Sequence, residues 1–185
     1  MNHATLSILR QSGTVLLILL FFSLMAGEAI ESSVLLFQAF PVLLIILPAF
    51  INACGSISDN VSNHVTTALG LGGWKSSRVT RVWFTSGVGG LLTTFLLFGV
   101  LVGVLHTLSP FVGWRSPSLP AFMLVVILPG ILTVLIGSLA ALAIAYAATK
   151  YGWDPDNVET PILNTLSDWV GVYLFIWTSG LLLQG

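Results

Sequence analysis

Residues 119–149 read LPAFMLVVILPGILTVLIGSLAALAIAYAAT, a run without a single charged side chain. About 20 predominantly apolar residues are enough for an α-helix to cross the hydrocarbon core of a bilayer, so this run predicts a membrane-spanning helix. The rest of the chain has the same character: 56% of its 185 residues are hydrophobic and only 7% are charged, against about 25% charged residues in a typical soluble domain. The chain is therefore predicted to be an integral membrane protein whose main partner is the lipid bilayer. Its net charge of −1 gives it no basic surface for nucleic acid.

Apolar segments of this kind recur along the chain, which predicts an all-α protein with five transmembrane helices. The longest polar stretches between these segments are loops of about a dozen residues, so residues 1–185 are predicted to form a single membrane domain. The segments run from about Gly13 to Ser33, Phe40 to Leu69, Val82 to Leu108, Leu119 to Thr149, and Thr160 to Leu183.

The basic residues predict the orientation of the spans. With the N-terminus inside the cell, the inner segments are 1–12, 70–81 and 149–160, and they hold five of the six basic residues. Because inner loops carry an excess of Lys and Arg, we expect a multi-pass protein of the cell membrane with its N-terminus inside and its C-terminus outside. An alternative for the first segment is a cleaved signal peptide, since Arg10 precedes an apolar run that ends in small residues.

Prolines and glycines predict how the spans are shaped and packed. Pro48 and Pro129 lie inside the second and fourth segments, so both helices are predicted to be kinked or broken. Gly99 and Gly103 form a G-x-x-x-G spacing, and a run of small residues begins at Gly137. Both features are typical of surfaces where membrane helices pack closely.

Acidic residues inside apolar segments are the first candidates for a functional site. A charged residue at the centre of a span costs roughly 2.5–3.5 kcal/mol on insertion scales, so such residues are retained mainly for function. Asp168 lies in the fifth segment and shares a helix face with Asn164, four residues before it. Glu28, Glu31 and Asp59 lie inside or at the edges of other segments. The remaining acids are predicted to lie in the loop before the fifth segment: Asp154, Asp156 and Glu159.

The second segment carries a polar stripe at helical spacing. Carboxylate, amide and hydroxyl oxygens are the ligands that hard cations such as Mg²⁺ prefer, although Asn and Ser also form hydrogen bonds between membrane helices. His64 in the same segment is a further candidate ligand, but a lone histidine near the end of a span is more often interfacial. The stripe consists of Asn52, Ser56, Asp59 or Asn60, Asn63 and Thr67. The predicted metal ligands are Asp168, Asn164, Asp59, Asn63 and Glu28.

Catalytic motifs are missing from the sequence. It contains no G-x-S-x-G, no H-E-x-x-H and no Walker lysine motif, which are the signatures of common nucleophilic, zinc-dependent and phosphate-binding sites. The chain is therefore predicted not to be an enzyme.

Two stretches together carry a resemblance to a known family. Residues 41–60 read PVLLIILPAFINACGSISDN, an apolar run into proline followed by a Gly- and Asn-containing stretch. The other stretch contains Asp154-Pro155, Pro161, Thr165, Asp168 and Gly171, which is similar to a D-P-A…P…T-T-x-x-D-x-x-G pattern. Both stretches resemble the MgtE-type magnesium transporter family, and specifically its compact archaeal or solute-carrier-like half-size members. The chain departs from the family pattern at Cys54-Gly55-Ser56, where Gly-Gly-Asn is typical, and at Asn164, where a threonine is typical.

The resemblance implies a function and an assembly. It implies a homodimer that transports Mg²⁺, with Asp168 in the cation pathway and two such carboxylates matching one divalent ion. Asn164 and backbone carbonyls of the second span would complete the shell around a partly hydrated ion. Two alternatives remain open at this point: an exchanger coupled to sodium or protons (or a carrier of another divalent metal), and a non-transporting subunit that pairs with a paralogous half-size partner.

Overall fold

A computed structural model describes residues 3–72, 77–153 and 155–183 of the chain, and every regular element in these ranges is an α-helix. Five of the six helices are long and apolar enough to cross a membrane, all except the short α2. The predicted all-α fold with five spans is therefore confirmed. The helices are α1 (His3–Ser32), α2 (Val34–Ala39), α3 (Pro41–Gly72), α4 (Ser77–Val112), α5 (Leu119–Tyr151) and α6 (Pro155–Leu183).

The helices extend beyond the apolar segments that predict them. The short helix α2 occupies all six residues between the first and second predicted segments. Helix α6 begins at Pro155, five residues before the predicted start. Proline is well suited to the first turn of a helix because its missing N–H would have no partner there. Gly152, with φ 67°, ends α5 in a left-handed conformation that glycine adopts without strain.

The two prolines do not break their helices. Helix α3 continues through Pro48 and helix α5 through Pro129, each as one uninterrupted helix. The broken form of the prediction for these two spans is wrong, because a proline removes only one backbone donor and the remaining hydrogen bonds can carry a membrane helix past it. In α5, the hydroxyl of Thr133 donates to the Pro129 carbonyl at 2.7 Å, which satisfies a buried polar pair within the helix.

The core lies between α3, α4, α5 and α6. Phe50 of α3 is fully buried and stacks on Phe98 of α4, with ring centroids 5.2 Å apart. The Phe50 ring also contacts the Phe175 ring of α6, with ring centroids 5.1 Å apart. Aromatic pairs of this kind contribute about 0.5–1.5 kcal/mol each beyond the area they bury. These three rings tie α3 to both neighbours at one level of the bundle.

Glycines allow the closest helix contacts, as the sequence predicts, but not at every predicted position. A Cβ atom added at Gly137 of α5 would overlap Ser58 of α3, and one added at Gly130 would overlap the Phe98 ring. A Cβ atom added at Gly99 or Gly103, by contrast, would meet nothing within 4 Å. The small-residue surface of the fourth span is therefore used inside the protomer, whereas the G-x-x-x-G pair of the third span is not.

Helix α1 is peripheral. It packs mainly on α6, where the Phe22 ring contacts the Trp169 ring edge-on at 5.3 Å. Only 11% of its spanning window is buried. Helix α6 therefore lies between α1 and the core, and the segment around Asp168 is the part of the fold that joins them.

Candidate functional site

The Asp168 region of α6 is divided into a buried and an accessible side. Leu163, Ser167 and Gly171 are buried against the core, whereas Asn164 is exposed and Asp168 is half-buried. The spacing of four residues places Asn164 and Asp168 one helical turn apart on the same side. A carboxylate and an amide oxygen are thus presented together at the surface of one protomer, at membrane depth.

Helix α3 approaches this side of α6 very closely at Gly55. A Cβ atom added at Gly55 would lie 2.7 Å from Oδ1 of Asn164, so the amide of Asn164 lies directly over the α3 backbone. Only glycine leaves room for this contact. The two stretches that carry the resemblance, one in α3 and one in α6, are therefore neighbours in space.

Helix α3 presents its polar stripe outward. On the opposite side of the same helix the buried residues are small or apolar, including Cys54, Ile57 and Val61. The polar face of α3 consists of Asn52, Ser56, Asn60, Asn63 and Thr67, and all five are exposed. Polar side chains within spans normally face protein or water, so this face is unsuited to lipid.

Asp59 lies at the border of the polar face and is bonded to α6. Its Oδ1 accepts a hydrogen bond from Thr160 Oγ1 at 2.7 Å, and its Oδ2 lies 3.5 Å from Asn63 Nδ2. The structure therefore brings the predicted candidates Asp59 and Asn63 together. It also gives Asp59 a structural role, since this carboxylate connects the two helices that carry the polar groups.

Glu159 is a buried acid next to the polar groups of α3, and its burial is not predicted from the sequence. The sequence places it in a loop, but it lies in α6 and is only 3% exposed. Thr66 Oγ1 of α3 donates to its Oε2 at 2.9 Å. The four-residue spacing of Glu159, Leu163 and Ser167, all buried, is the signal that would have placed it on the inner side of α6. Asp154 lies outside the described residues.

Glu28 is not part of this arrangement. It lies exposed on α1, as does Glu31. Phe22 of α1 is level with Trp169, and Glu28 lies six residues further along, a rise of roughly 9 Å at 1.5 Å per residue. The structure therefore separates Glu28 from Asp168 along the bundle.

The described residues of one protomer do not form a complete metal cage. In these ranges there is no group of three or more His, Cys, Asp or Glu side chains that could hold a metal ion. Asp168 and Asn164 supply two oxygen-bearing groups, and Asp59 and Asn63 supply two more. A cation at either place would keep part of its water shell or share ligands with a second chain, as Mg²⁺ commonly does.

These structural features indicate the general class of protein to which the chain belongs. A bundle of five apolar spans with carboxylates and amides exposed at membrane depth is typical of proteins that move ions across membranes. A model of the MgtE family, described as divalent cation transporter, matches residues 47–178, more than two thirds of the chain. The chain belongs to this family. No curated protein sequence matches it.

The matched range contains the whole of the arrangement on α3 and α6. It begins one residue before Pro48 and ends at Thr178, five residues before the end of α6. The close approach at Gly55, the polar groups of α3 from Asn52 onward, and Asp168 all lie inside it. Family membership therefore gives the molecule its activity, the movement of divalent cations, and the geometry shows which side chains are available for it.

Proposed function

We propose that the chain transports divalent cations, chiefly Mg²⁺, along a pathway that two copies form by joining their polar α3–α6 faces. The observation that carries this proposal is the exposure of the polar face of α3 beside Asn164 and Asp168. Leaving an amide or hydroxyl without a hydrogen-bond partner in an apolar medium costs roughly 2–7 kcal/mol. Several such groups on one face favour water and a second protein surface over lipid.

Two-fold symmetry supplies the charge that one protomer lacks. An isologous dimer brings the same surface patch of both copies together, so two Asp168 carboxylates would flank one route. Two negative charges balance one divalent cation. Because Mg²⁺ loses its water reluctantly, Asp168 and Asn164 would hold it largely through retained water, and transient contacts of this kind permit both entry and release.

The other predicted residues take lesser parts in this proposal. Asn63 lines the same face of α3, nearer residue 72. Both carboxylate oxygens of Asp59 are hydrogen-bonded, to Thr160 and Asn63, but each keeps a lone pair that a cation or its water could use. Glu28 would attract cations to one mouth of the route by its charge alone. We place the protein in the cell membrane with its N-terminus inside, and we treat residues 1–185 as one transport domain.

Magnesium flux into liposomes tests the role of Asp168. We expect Asp168→Asn to reduce Mg²⁺ flux at least about tenfold, which corresponds to about 1.4 kcal/mol of lost stabilisation of the passing ion. Glu31→Gln is the matched control, because it also removes one carboxylate from a span, here an exposed one, and should leave the flux unchanged. Equal flux in wild type and Asp168→Asn would contradict the proposal.

The alternatives predict different flux and assembly. A sodium- or proton-coupled exchanger would require an imposed sodium or pH gradient for Mg²⁺ flux, whereas the proposed pathway needs only a Mg²⁺ gradient or a membrane potential. A carrier of another divalent metal would move that ion faster than Mg²⁺. A subunit of a hetero-oligomer would show no flux when purified alone and would copurify with its half-size partner.

A further inference from the structure

A second polar space lies between α3 and α4, apart from Asp168. It is a half-open cavity of about 330 Å³, which we call the α3–α4 chamber, and the side chains of Asn60, His64 and Thr93 are exposed at its mouth. Its polar lining comes from Asn60 and His64 of α3 and from Ser86 and Thr93 of α4, and Gly89 and Gly90 form part of its wall. All six residues lie within the spanning parts of their helices.

The glycines explain why the chamber exists. Gly90 is buried, and a Cβ atom added to it would lie 3.0 Å from Ile57 of α3, so the helices are in close contact there. A Cβ atom added at Gly89 would meet nothing within 4 Å. Gly90 therefore brings α3 and α4 together, and the missing side chain of Gly89 leaves an open space beside that contact.

The side chains of the chamber form a mixed ligand set. Asn60 and His64 are four residues apart, so they lie about 5–6 Å apart at their Cβ atoms on one side of α3. Thr93 Oγ1 donates its proton to the Gly89 carbonyl at 2.9 Å, so the lone pairs of this oxygen remain available to accept. The chamber thus offers amide and hydroxyl oxygens together with one imidazole.

The size of the chamber suits an ion that keeps its water. Since each water molecule occupies about 30 Å³ in the liquid, the chamber has room for roughly ten. That is enough for a six-coordinate cation with most of its first shell. Asn60 belongs both to the chamber and to the polar face of α3, so the chamber borders that face.

We propose that the α3–α4 chamber is a second binding site for a partly hydrated divalent cation, and that His64 makes it favour Co²⁺ over Mg²⁺. Imidazole binds borderline transition metals better than it binds Mg²⁺, which prefers oxygen ligands. This proposal rests on the proposed cation transport for its physiological meaning, but binding itself can be measured separately. With one imidazole the site is weak, as a site beside a transport route must be.

Binding of Co²⁺ to the purified protein without a histidine tag tests the proposal. We expect His64→Ala to weaken Co²⁺ binding at least about tenfold, because it removes the one nitrogen ligand that the chamber offers, while Mg²⁺ at equal concentration competes poorly in wild type. His106→Ala is the matched control: this histidine lies at the other end of α4, where its Nδ1 is 3.0 Å from Ser116 Oγ. Equal Co²⁺ binding in wild type and His64→Ala, or an equal loss in His106→Ala, would overturn the proposal.

A second variant keeps the test independent of how His64→Ala folds. Gly89→Leu places a side chain in open space and should fill the chamber, so we expect it to weaken Co²⁺ binding as much as His64→Ala does, with His64 intact. Unchanged Co²⁺ binding in Gly89→Leu would overturn the chamber as the site. Loss of Mg²⁺ flux in Asp168→Asn together with unaltered Co²⁺ binding in His64→Ala would reject this site alone. Normal flux in Asp168→Asn with the expected loss of Co²⁺ binding would reject the proposed role of Asp168 and leave the site standing.

Discussion

At the scale of single residues, two glycines determine how closely polar groups approach a neighbouring helix. The space of the missing Cβ atom of Gly55 is occupied by the Asn164 amide, and that of Gly137 is occupied by Ser58. The first contact is with the end of an exposed side chain that can rotate, whereas the second involves the Cβ atom of a buried residue. Similar substitutions at the two positions should therefore have different effects.

We expect Gly55→Ala to reduce Mg²⁺ flux with little loss of stability, because Asn164 can turn away from the new methyl group but then leaves its place beside Asp168.

Gly137→Ala should lower the free energy of unfolding by about 1–3 kcal/mol, the usual cost of overpacking a core. Unfolding in mixed detergent micelles, followed by circular dichroism, compares the two. Equal destabilisation by both substitutions would show that Asn164 is fixed in place.

The buried Glu159 gives a second prediction at the residue scale. Thr66→Val removes the hydroxyl that lies 2.9 Å from its Oε2 and 2.8 Å from the Ser62 carbonyl, and removing one partner of a buried hydrogen bond costs about 1–3 kcal/mol. We expect a loss of stability of that size in the same unfolding measurement. Thr67→Val is the control, since Thr67 is exposed and its hydroxyl donates to the Asn63 carbonyl of its own helix. A loss no larger than that of Thr67→Val would show that the Thr66–Glu159 bond does not hold α3 to α6.

At the scale of the helix, α3 combines a buried small or apolar side with an exposed polar one. This division predicts contact with water along the polar face at membrane depth. In a Cys54→Ala background, Asn63→Cys should react with a water-soluble thiol reagent at least about tenfold faster than Leu92→Cys, because the reactive thiolate does not form in hydrocarbon. Leu92 is a suitable control, as it is 60% exposed on α4 but apolar. Equal rates for the two cysteines in liposomes would show that the polar face is not hydrated.

The number of spans and the polar stripe were predictable because composition and helical spacing determine them directly. The burial of Glu159 was missed, since the apolar segment begins only at Thr160 whereas the helix begins five residues earlier, at Pro155, and its four-residue spacing to Leu163 becomes informative only once that start is known. The α3–α4 chamber was also beyond prediction, because its α3 and α4 side chains are in different spans and only packing brings them together. Proline was an unreliable guide for a different reason: of the kink or break predicted at Pro48, the break is absent from α3, because one lost backbone donor does not by itself end a membrane helix.

At the scale of the whole molecule, the central claim is that two copies share one cation pathway between their polar faces. A single copy has an exposed polar face and an incomplete set of ligands among its described residues. A two-fold partner would cover that polar face and would supply a second Asp168 carboxylate. Helix α1, on the far side of α6, would remain outside the shared route and face the lipid with its large apolar side chains.

Cross-linking combined with flux tests this claim most directly. Ser56→Cys, in a Cys54→Ala background, introduces a thiol at the middle of the polar face, and a short bifunctional thiol reagent is applied to the protein in liposomes. Leu92→Cys, on an apolar surface, is the control. The account predicts that Ser56→Cys forms covalent pairs and that Mg²⁺ flux falls as pairs accumulate, whereas Leu92→Cys keeps its flux. Persistent Mg²⁺ flux without any covalent pairs, or full flux through completely cross-linked Ser56→Cys pairs, would contradict it.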